Sequence, residues 1–515
     1  MPLLKSIATV GGYTMVSRIL GFARDILVAA YLGAGPVADA FFVAFKLPNF
    51  FRRLFAEGAF NAAFVPLFAA RLAEAGQDAA QRFAARVMSV MVVFLFCFIT
   101  VLQIAMPWLM HVIAPGFVDD TEKFTLAVDL ARTTFPYLLF ISLVSLMGGV
   151  LNTLDRFAAA AATPIILNIV LITALLTATP FLPTPGHALA WGVAAAGIAQ
   201  FLWLLAACRR ENVRFYLPRP RLTPRVRRLL RLMLPGAVGA GVVQINLLVD
   251  IVIASILPTG AVSFLYYADR INQLPLGVVG VAIGTALLPL LSRQLRTGEI
   301  AAAANSMNRG IEVALLLTVP AAAALLVIAG PIVTVLFERG AFDSGVSAAT
   351  AQALMAYAVG IPAYVLIKVL APGFFAREDT TTPVRIAIVC VVLNIALSLI
   401  LIQFLAHAGI ALATGIVAWI NAGLLAWTLQ RRGHHAADVR LWKRLPRIVL
   451  AAAGMAAGLW GALYVMGDAF AVPGGLRIAA LAGLIGFGLM LYFTLAAALG
   501  AARLSDVKTM LGRKR

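Results

Sequence analysis

Apolar runs of about 20 residues recur along almost the whole sequence, and that is the length an α-helix needs to cross the roughly 30 Å hydrocarbon core of a bilayer. Fourteen runs can be placed, near 7–32, 37–70, 84–113, 125–151, 158–180, 186–208, 229–257, 268–292, 310–330, 348–372, 383–405, 408–429, 448–466 and 478–500. Inside lipid a backbone must satisfy its own N–H and C=O groups, which leaves such runs little choice but helix. Composition agrees: 62% of residues are hydrophobic and only 12% charged, where a soluble domain carries about 25% charged residues. The expected fold class is an all-α polytopic membrane protein with about 14 transmembrane helices. The first two runs are too long and too charged to be simple spans, so bends or breaks are expected in both. Arg18 and Arg24 interrupt the first run and no small-residue cleavage site follows it, which predicts a retained helix, not a signal peptide.

The net charge of +19 is sorted by these runs. Thirty Lys and Arg fall in the connections on one side, nine of them in RRENVRFYLPRPRLTPRVRR and its continuation to Arg231, and three (Lys123, Arg339 and Arg477) on the other. The positive-inside rule then places both termini in the cytoplasm. The basicity is a topology signal with anionic leaflet lipid as its natural contact, and no nucleic acid is required. Of the 41 basic residues eight remain inside or at the edges of spans: Arg18, Arg24, Lys46, Arg52, Arg53, Arg132, Arg270 and Lys368.

The sequence also matches itself at an offset near 226 residues. Leu47-Pro48 matches Leu274-Pro275, Pro136 matches Pro362, and Leu167-Asn168-Ile169 matches Leu393-Asn394-Ile395, while Thr163-Pro164 matches Thr382-Pro383 at 219. That offset spans six runs, an even number, so both copies enter the membrane in the same direction. The expectation is two parallel six-helix lobes around a central cationic cavity plus two extra C-terminal helices, an arrangement suited to alternating access. The predicted boundaries are 1–208 for the first lobe, 209–228 for a basic cytoplasmic linker, 229–429 for the second lobe and 430–515 for the last two helices and a basic tail.

A charge at bilayer depth costs at least about 3 kcal/mol unless it meets a partner or a watery cavity. Arg53 and Glu57, four apart, are spaced to pair on one helix face. Arg18 and Asp25 share a face seven residues apart, Arg24 lies about 100° round the helix from Asp25, and one acid does not satisfy two arginines. Asp39 and Lys46 are also seven apart, and the spacing leaves pairing and a cavity role both open. Arg132 and Lys368 sit near span ends, where long side chains snorkel. Arg270 follows Asp269, and adjacent side chains are expected to diverge. The excess of guanidinium groups suits a phosphorylated anion, because the fork donates bidentate, charge-assisted hydrogen bonds.

Enzyme signatures are missing: there is no G-x-x-x-x-G-K-[ST] loop, no H-E-x-x-H pair and no Asp-rich loop for a metal-bound diphosphate. The five histidines form no spanning cluster, and Cys97, Cys208 and Cys390 read as small buried hydrophobes. Transport without a bound cofactor or metal is therefore expected, not catalysis.

The strings SRILGFARDILVAAYLGAG, DAFFVAFKLPNFFRRLFAEGAFNAAFVPLF, YYADRINQLPLGVVGVAIGT and KVLAPGFFAREDTTTPV resemble the MurJ (MviN) lipid II flippase family of the multidrug/oligosaccharidyl-lipid/polysaccharide exporter superfamily. The resemblance implies export of lipid II, the undecaprenyl-diphosphate-linked disaccharide-peptide precursor of peptidoglycan, across the bacterial inner membrane. Its partners would be lipid II, membrane lipids and cell-wall synthesis proteins; an exporter of another polyprenyl-diphosphate-linked glycan is the alternative. It implies substrate-binding roles for Arg18, Arg24, Arg52, Arg270 and Asp39; the charges spaced around them, Asp25, Lys46, Arg53, Glu57 and Asp269, are expected to support the same cavity. It also implies that the last two helices form a groove for the polyprenyl tail. Two positions depart from the family pattern. Gln273 stands where some members carry an acid, and Ser398 stands where an acid would complete a sodium site that Asp250 and Asn394 otherwise resemble.

Overall fold

The computed structural model describes residues 2–53, 58–470 and 474–502, and among them the regular structure is helical. The helices are α1 (Pro2–Leu32), α2 (Pro36–Arg52), α3 (Ala59–Ile104), α4 (Met106–Ile113), α5 (Thr121–Thr134), α6 (Tyr137–Thr153), α7 (Phe157–Ala178), α8 (Pro185–Arg210) and α9 (Pro224–Ser255). They continue as α10 (Ala261–Pro275), α11 (Val281–Arg296), α12 (Ile300–Phe337), α13 (Ser344–Ala358), α14 (Ile361–Phe375), α15 (Thr381–Arg431), α16 (Val439–Met466) and α17 (Gly475–Ala498). Among the described residues nine helical stretches are long and apolar enough to cross a membrane. Those nine do not include α1, α2 and α10, which carry Arg18 and Arg24, Lys46 and Arg52, and Arg270.

Breaks occur where the backbone is constrained. The second run ends its first helix at Arg52, four residues after Pro48, and the next begins at Ala59. The first run, in contrast, is one uninterrupted helix; it contains no proline past its first residue, and Arg18 and Arg24 are accommodated without interrupting it. α3 turns at Gly76 (φ 75°) and α15 at Ala406 (φ 46°), so each merges two helical segments. After Pro275 the helix passes through a wider π turn, Leu276–Gly280, as expected where proline removes an N–H and crowds the preceding turn.

Left-handed backbone positions recur between the two halves of the sequence. Gly33 pairs with Gly260, Gly76 with Gly298, Asp155 with Glu378 and Asn212 with Gly433, at offsets of 227, 222, 223 and 221 residues. At Asp155, Asn212, Gly298, Glu378 and Gly433 the same C-terminal cap closes the preceding helix. The next N–H reaches back five residues: Arg156 to Leu151 (2.9 Å), Val213 to Cys208 (2.9 Å), Glu299 to Gln294 (2.8 Å), Asp379 to Phe374 (3.1 Å) and His434 to Leu429 (2.9 Å). Helix starts recur as well, with Asp120 capping α5 through Lys123 N–H and Asp343 capping α13 through Val346 N–H. The spans α5–α6 and α13–α14 are interrupted beside the matching prolines, Pro136 and Pro362.

The chain forms two compact units, one of residues 1–263 with 340–342, the other of 264–339 with 343–515. In the first, α1 packs on α7, α7 on α8, α2 on α5, and α3 on α6 and α9. The α5–α6 span is its centre, with 78% of its apolar window buried. The 340–342 turn packs tightly in this unit: Ala341 N–H donates to the Ala30 carbonyl (2.8 Å). A Cβ on Gly33 would lie 2.2 Å from the Ala341 carbonyl oxygen, and one on Gly340 2.3 Å from that of Ala30, so both positions exclude a side chain. In the second unit α12 packs against α13, α14 and α16, and α16 against α17.

A buried ionic knot fixes α16 to α12. Glu312, 4% exposed, accepts from Arg309, Arg440 and Arg444, and Arg309 also bonds Asp438. The surface is that of a protein solvated by lipid. All seven tryptophans are exposed, from 42% at Trp419 to 68% at Trp108 and Trp460, where a water-soluble domain would keep most of that area inside. Cys97, expected to be buried, lies on this exposed surface, while Cys208 and Cys390 are buried.

Candidate functional site

In the first unit Arg24 on α1 and Asp39 on α2 each bond to residues on other elements. Arg24, whose side chain is 12% exposed, donates through Nε (3.0 Å) and Nη2 (2.6 Å) to Asp25 Oδ1. Its Nη1 reaches Asn168 Oδ1 on α7 at 2.9 Å. The 100° between these neighbours does not keep the pair apart, because the arginine side chain is long enough to reach round the helix. Arg18 is exposed, and Lys46 and Arg52 are half-buried. Arg53 is exposed, and its expected partner Glu57 lies outside the described residues.

Asp39 is 1% exposed, and its described partners come from other elements than α2. Its Oδ2 accepts from Lys123 Nζ (2.9 Å) and Gly260 N–H (2.8 Å), and its Oδ1 from Ser263 N–H (3.0 Å) and Oγ (2.6 Å). A carboxylate in the first turn of α2 thereby captures the backbone just after Gly260, which has no side chain of its own to offer. Lys123 is itself 5% exposed; its ammonium touches Thr259 Oγ1 (3.3 Å) and sits 4.1 Å from the Phe117 ring centre. Spacing suggested Lys46 because it looks only along one helix, and Lys123 is 84 residues away in sequence.

In the second unit Arg270 Nη2 lies 3.4 Å from Asp269 Oδ2, and its guanidinium stacks 4.9 Å from the Tyr266 ring centre. Gln273 Nε2 also donates to Asp269, so the amide that replaces an acid at this position is a donor to the existing one. Here too adjacent residues pair. Asn394 (1% exposed) accepts from Thr414 Oγ1 at 3.4 Å, and Ser398 is fully buried.

The three cations on the sparsely charged side are all satisfied within the protein. Besides Lys123, Arg477 bonds Glu338 (3.3 Å) and the Phe470 carbonyl (3.1 Å), and Arg339 bonds the Val335 carbonyl (2.7 Å). The arginines of 209–228 are exposed in contrast. An apolar groove in the second unit runs between α12, α16 and α17, lined by Leu316, Pro320, Met455, Leu484, Gly488 and Tyr492 among others. Asn168, Lys123 and Tyr266 escaped sequence reasoning, although Asn168 stood in the clearest of the repeat matches.

A family profile described as Lipid II flippase MurJ matches residues 28–479. The chain belongs to the lipid II flippase MurJ family. A protein of Rhizobium meliloti (strain 1021) named probable lipid II flippase MurJ is 49% identical over 523 residues, covering 100% of this chain and 97% of its own length. One from Vibrio cholerae serotype O1, named likewise, is 38% identical, with 98% of each chain covered. A solved lipid II flippase MurJ in an inward closed conformation superposes with a TM-score of 0.80 at 25% identity, covering 98% of this chain and 99% of its own. An inward-facing MATE family multidrug transporter of the MOP superfamily superposes at 0.69 with 15% identity over 83% of this chain and 98% of its own, a likeness of fold alone. In this chain the arginines of α1, α2 and α10 sit on helices outside the nine apolar spans found among the described residues.

Proposed function

We propose that this protein is a multi-pass inner-membrane flippase that moves lipid II from the cytoplasmic to the periplasmic leaflet for cell-wall synthesis. Family membership supports the cargo, and the observation that carries the chemistry is Arg24. Its guanidinium, 12% exposed on α1, is oriented by Asp25 on its own helix and by the neutral amide of Asn168 on α7. A diphosphate head group is the ligand such forks match. Arg24 and Arg52 with Arg18 in support, and Arg270 from the second unit, take the diphosphate. Asp25, Lys46, Arg53, Glu57 and Asp269 set the charge around them. Asp39 acts by holding the 260–263 backbone, since both its oxygens are already engaged.

The groove beside α16 and α17 takes the polyprenyl tail, fourteen spans put both termini in the cytoplasm, and alternating access moves the head group with no covalent step. Depleting the protein from cells in which it is the sole flippase tests the cargo. Lipid II accumulates on the cytoplasmic side if the reading holds; accumulation of a different polyprenyl-diphosphate glycan, with lipid II exported normally, overturns it.

A further inference from the structure

We infer that Asn168 is the positioning residue for Arg24, fixing the guanidinium in the orientation that receives the cargo phosphate. The inference rests on the reading that Arg24 holds the diphosphate. Asp25, the next residue on the same helix, grips one edge of the fork through Nε and Nη2. The other terminal nitrogen, Nη1, is taken across the helix interface by Asn168 Oδ1 at 2.9 Å, 144 residues away in sequence.

Asn168 is itself fixed. It is 4% exposed, and its Nδ2 donates to the Ser17 carbonyl on α1 at 3.0 Å. Those two bonds assign the amide: the oxygen faces the guanidinium and the nitrogen faces the carbonyl. α1 and α7 meet closely there, because a Cβ on Gly21 would stand only 3.4 Å from Asn168 Nδ2. The asparagine spans from the backbone at Ser17 to the side chain at Arg24, two turns along the same helix.

The residue type matters as much as the contact. A long guanidinium side chain gives up rotamer freedom when it grips an anion, and one already held at both edges gives up less. Asp25 already balances the guanidinium charge, and a second carboxylate at 168 would leave the cluster net negative. The neutral amide orients the fork without adding that charge.

A double-mutant cycle on the full chain in lipid nanodiscs, reading the dissociation constant for lipid II, tests this. Asn168→Ala is expected to weaken binding about tenfold, the scale of one hydrogen bond to a charged group, and to add nothing further in an Arg24→Ala background. Asn168→Asp keeps the shape and the acceptor toward Arg24 but loses the Nδ2 donor to the Ser17 carbonyl, and is read with its thermal stability matched against the alanine variant. It is expected to weaken binding at least as much, by adding a second negative charge to the fork. Suppose Arg24→Ala weakens binding, but both Asn168 variants bind as wild type or the Asn168→Ala loss persists undiminished beside Arg24→Ala. The positioning role is then overturned and the arginine reading stands. If Arg24→Ala itself leaves lipid II binding unchanged, both fall.

Discussion

Asp39 and Lys123 show how a buried charge pair divides its energy unequally. Asp39 would keep three donors without the lysine, two from Ser263 and one from Gly260. Lys123 without the aspartate would keep Thr259 Oγ1 and the face of Phe117. Asp39→Ala therefore strands a buried ammonium and is expected to cost about 3–5 kcal/mol of stability. Lys123→Met, which matches the stem in length, is expected to cost less than half as much. Thermal unfolding of the purified protein in detergent checks the order, and equal losses would contradict it. None of this asymmetry was visible in the sequence, where Lys123 counted as one of three topological charges on the far side. Spacing rules see partners on the same helix; the pairs Asp39–Lys123 and Arg24–Asn168 are made by packing.

At the scale of the element, the turns carry strain that can be relieved. Glu378 is exposed at φ 62°, in the cap position that glycine occupies at Gly298 and Gly433. A non-glycine residue there costs about 1–2 kcal/mol, so Glu378→Gly is expected to stabilise the protein by about 1 kcal/mol, read as a raised unfolding midpoint. The connections flanking α15 also set a pH response. Hydrogen bonds from the Thr382 hydroxyl and N–H, with Arg432 adding to them against the opposing effect of burial, lower the Asp379 pKa to about 2. Burial lowers the His435 pKa below its ordinary 6.5, with Asp438 partly opposing. Both groups bind fewer protons folded than unfolded, so both contribute stability at neutral pH that is lost on acidification. His435 acts first, below about pH 6.5, and Asp379 below about pH 4. Unfolding midpoints are expected to fall between pH 7 and 5, and to fall less in His435→Gln; an unchanged slope in that variant would remove His435 as the cause. The helices themselves were legible, since runs of about 20 apolar residues leave a lipid-solvated backbone no alternative. The break after Pro48 lies beside a proline, as does the π turn after Pro275, and the reversal at Ala406 falls in the gap between the runs 383–405 and 408–429, where a Cβ on Gly409 would lie 2.6 Å from the Leu401 backbone.

At the scale of the whole molecule, the internal repeat is the main organising fact. Short matches such as Leu167-Asn168-Ile169 with Leu393-Asn394-Ile395 suggested it, and the recurrence of left-handed caps and aspartate helix starts extends it to positions whose residues differ, as Asn212 and Gly433 do. Backbone geometry persists there because a cap needs a conformation, and several residue types supply it. The charged helices repeat as well: the first copy carries Lys46 just before its Leu-Pro match and Arg52 and Arg53 after it, the second Asp269 and Arg270 before its own. What the sequence could not convey is which arginines are held by neutral groups and which by acids, because that depends on helices brought together by folding. If these arginines carry lipid II, the decisive measurement is lipid II exposed on the periplasmic face of cells whose sole copy of this protein is wild type, Arg24→Ala or Arg270→Ala, at matched membrane levels. Both variants are expected to lose exposure while lipid II accumulates inside; normal exposure in both would show that these arginines do not carry the cargo.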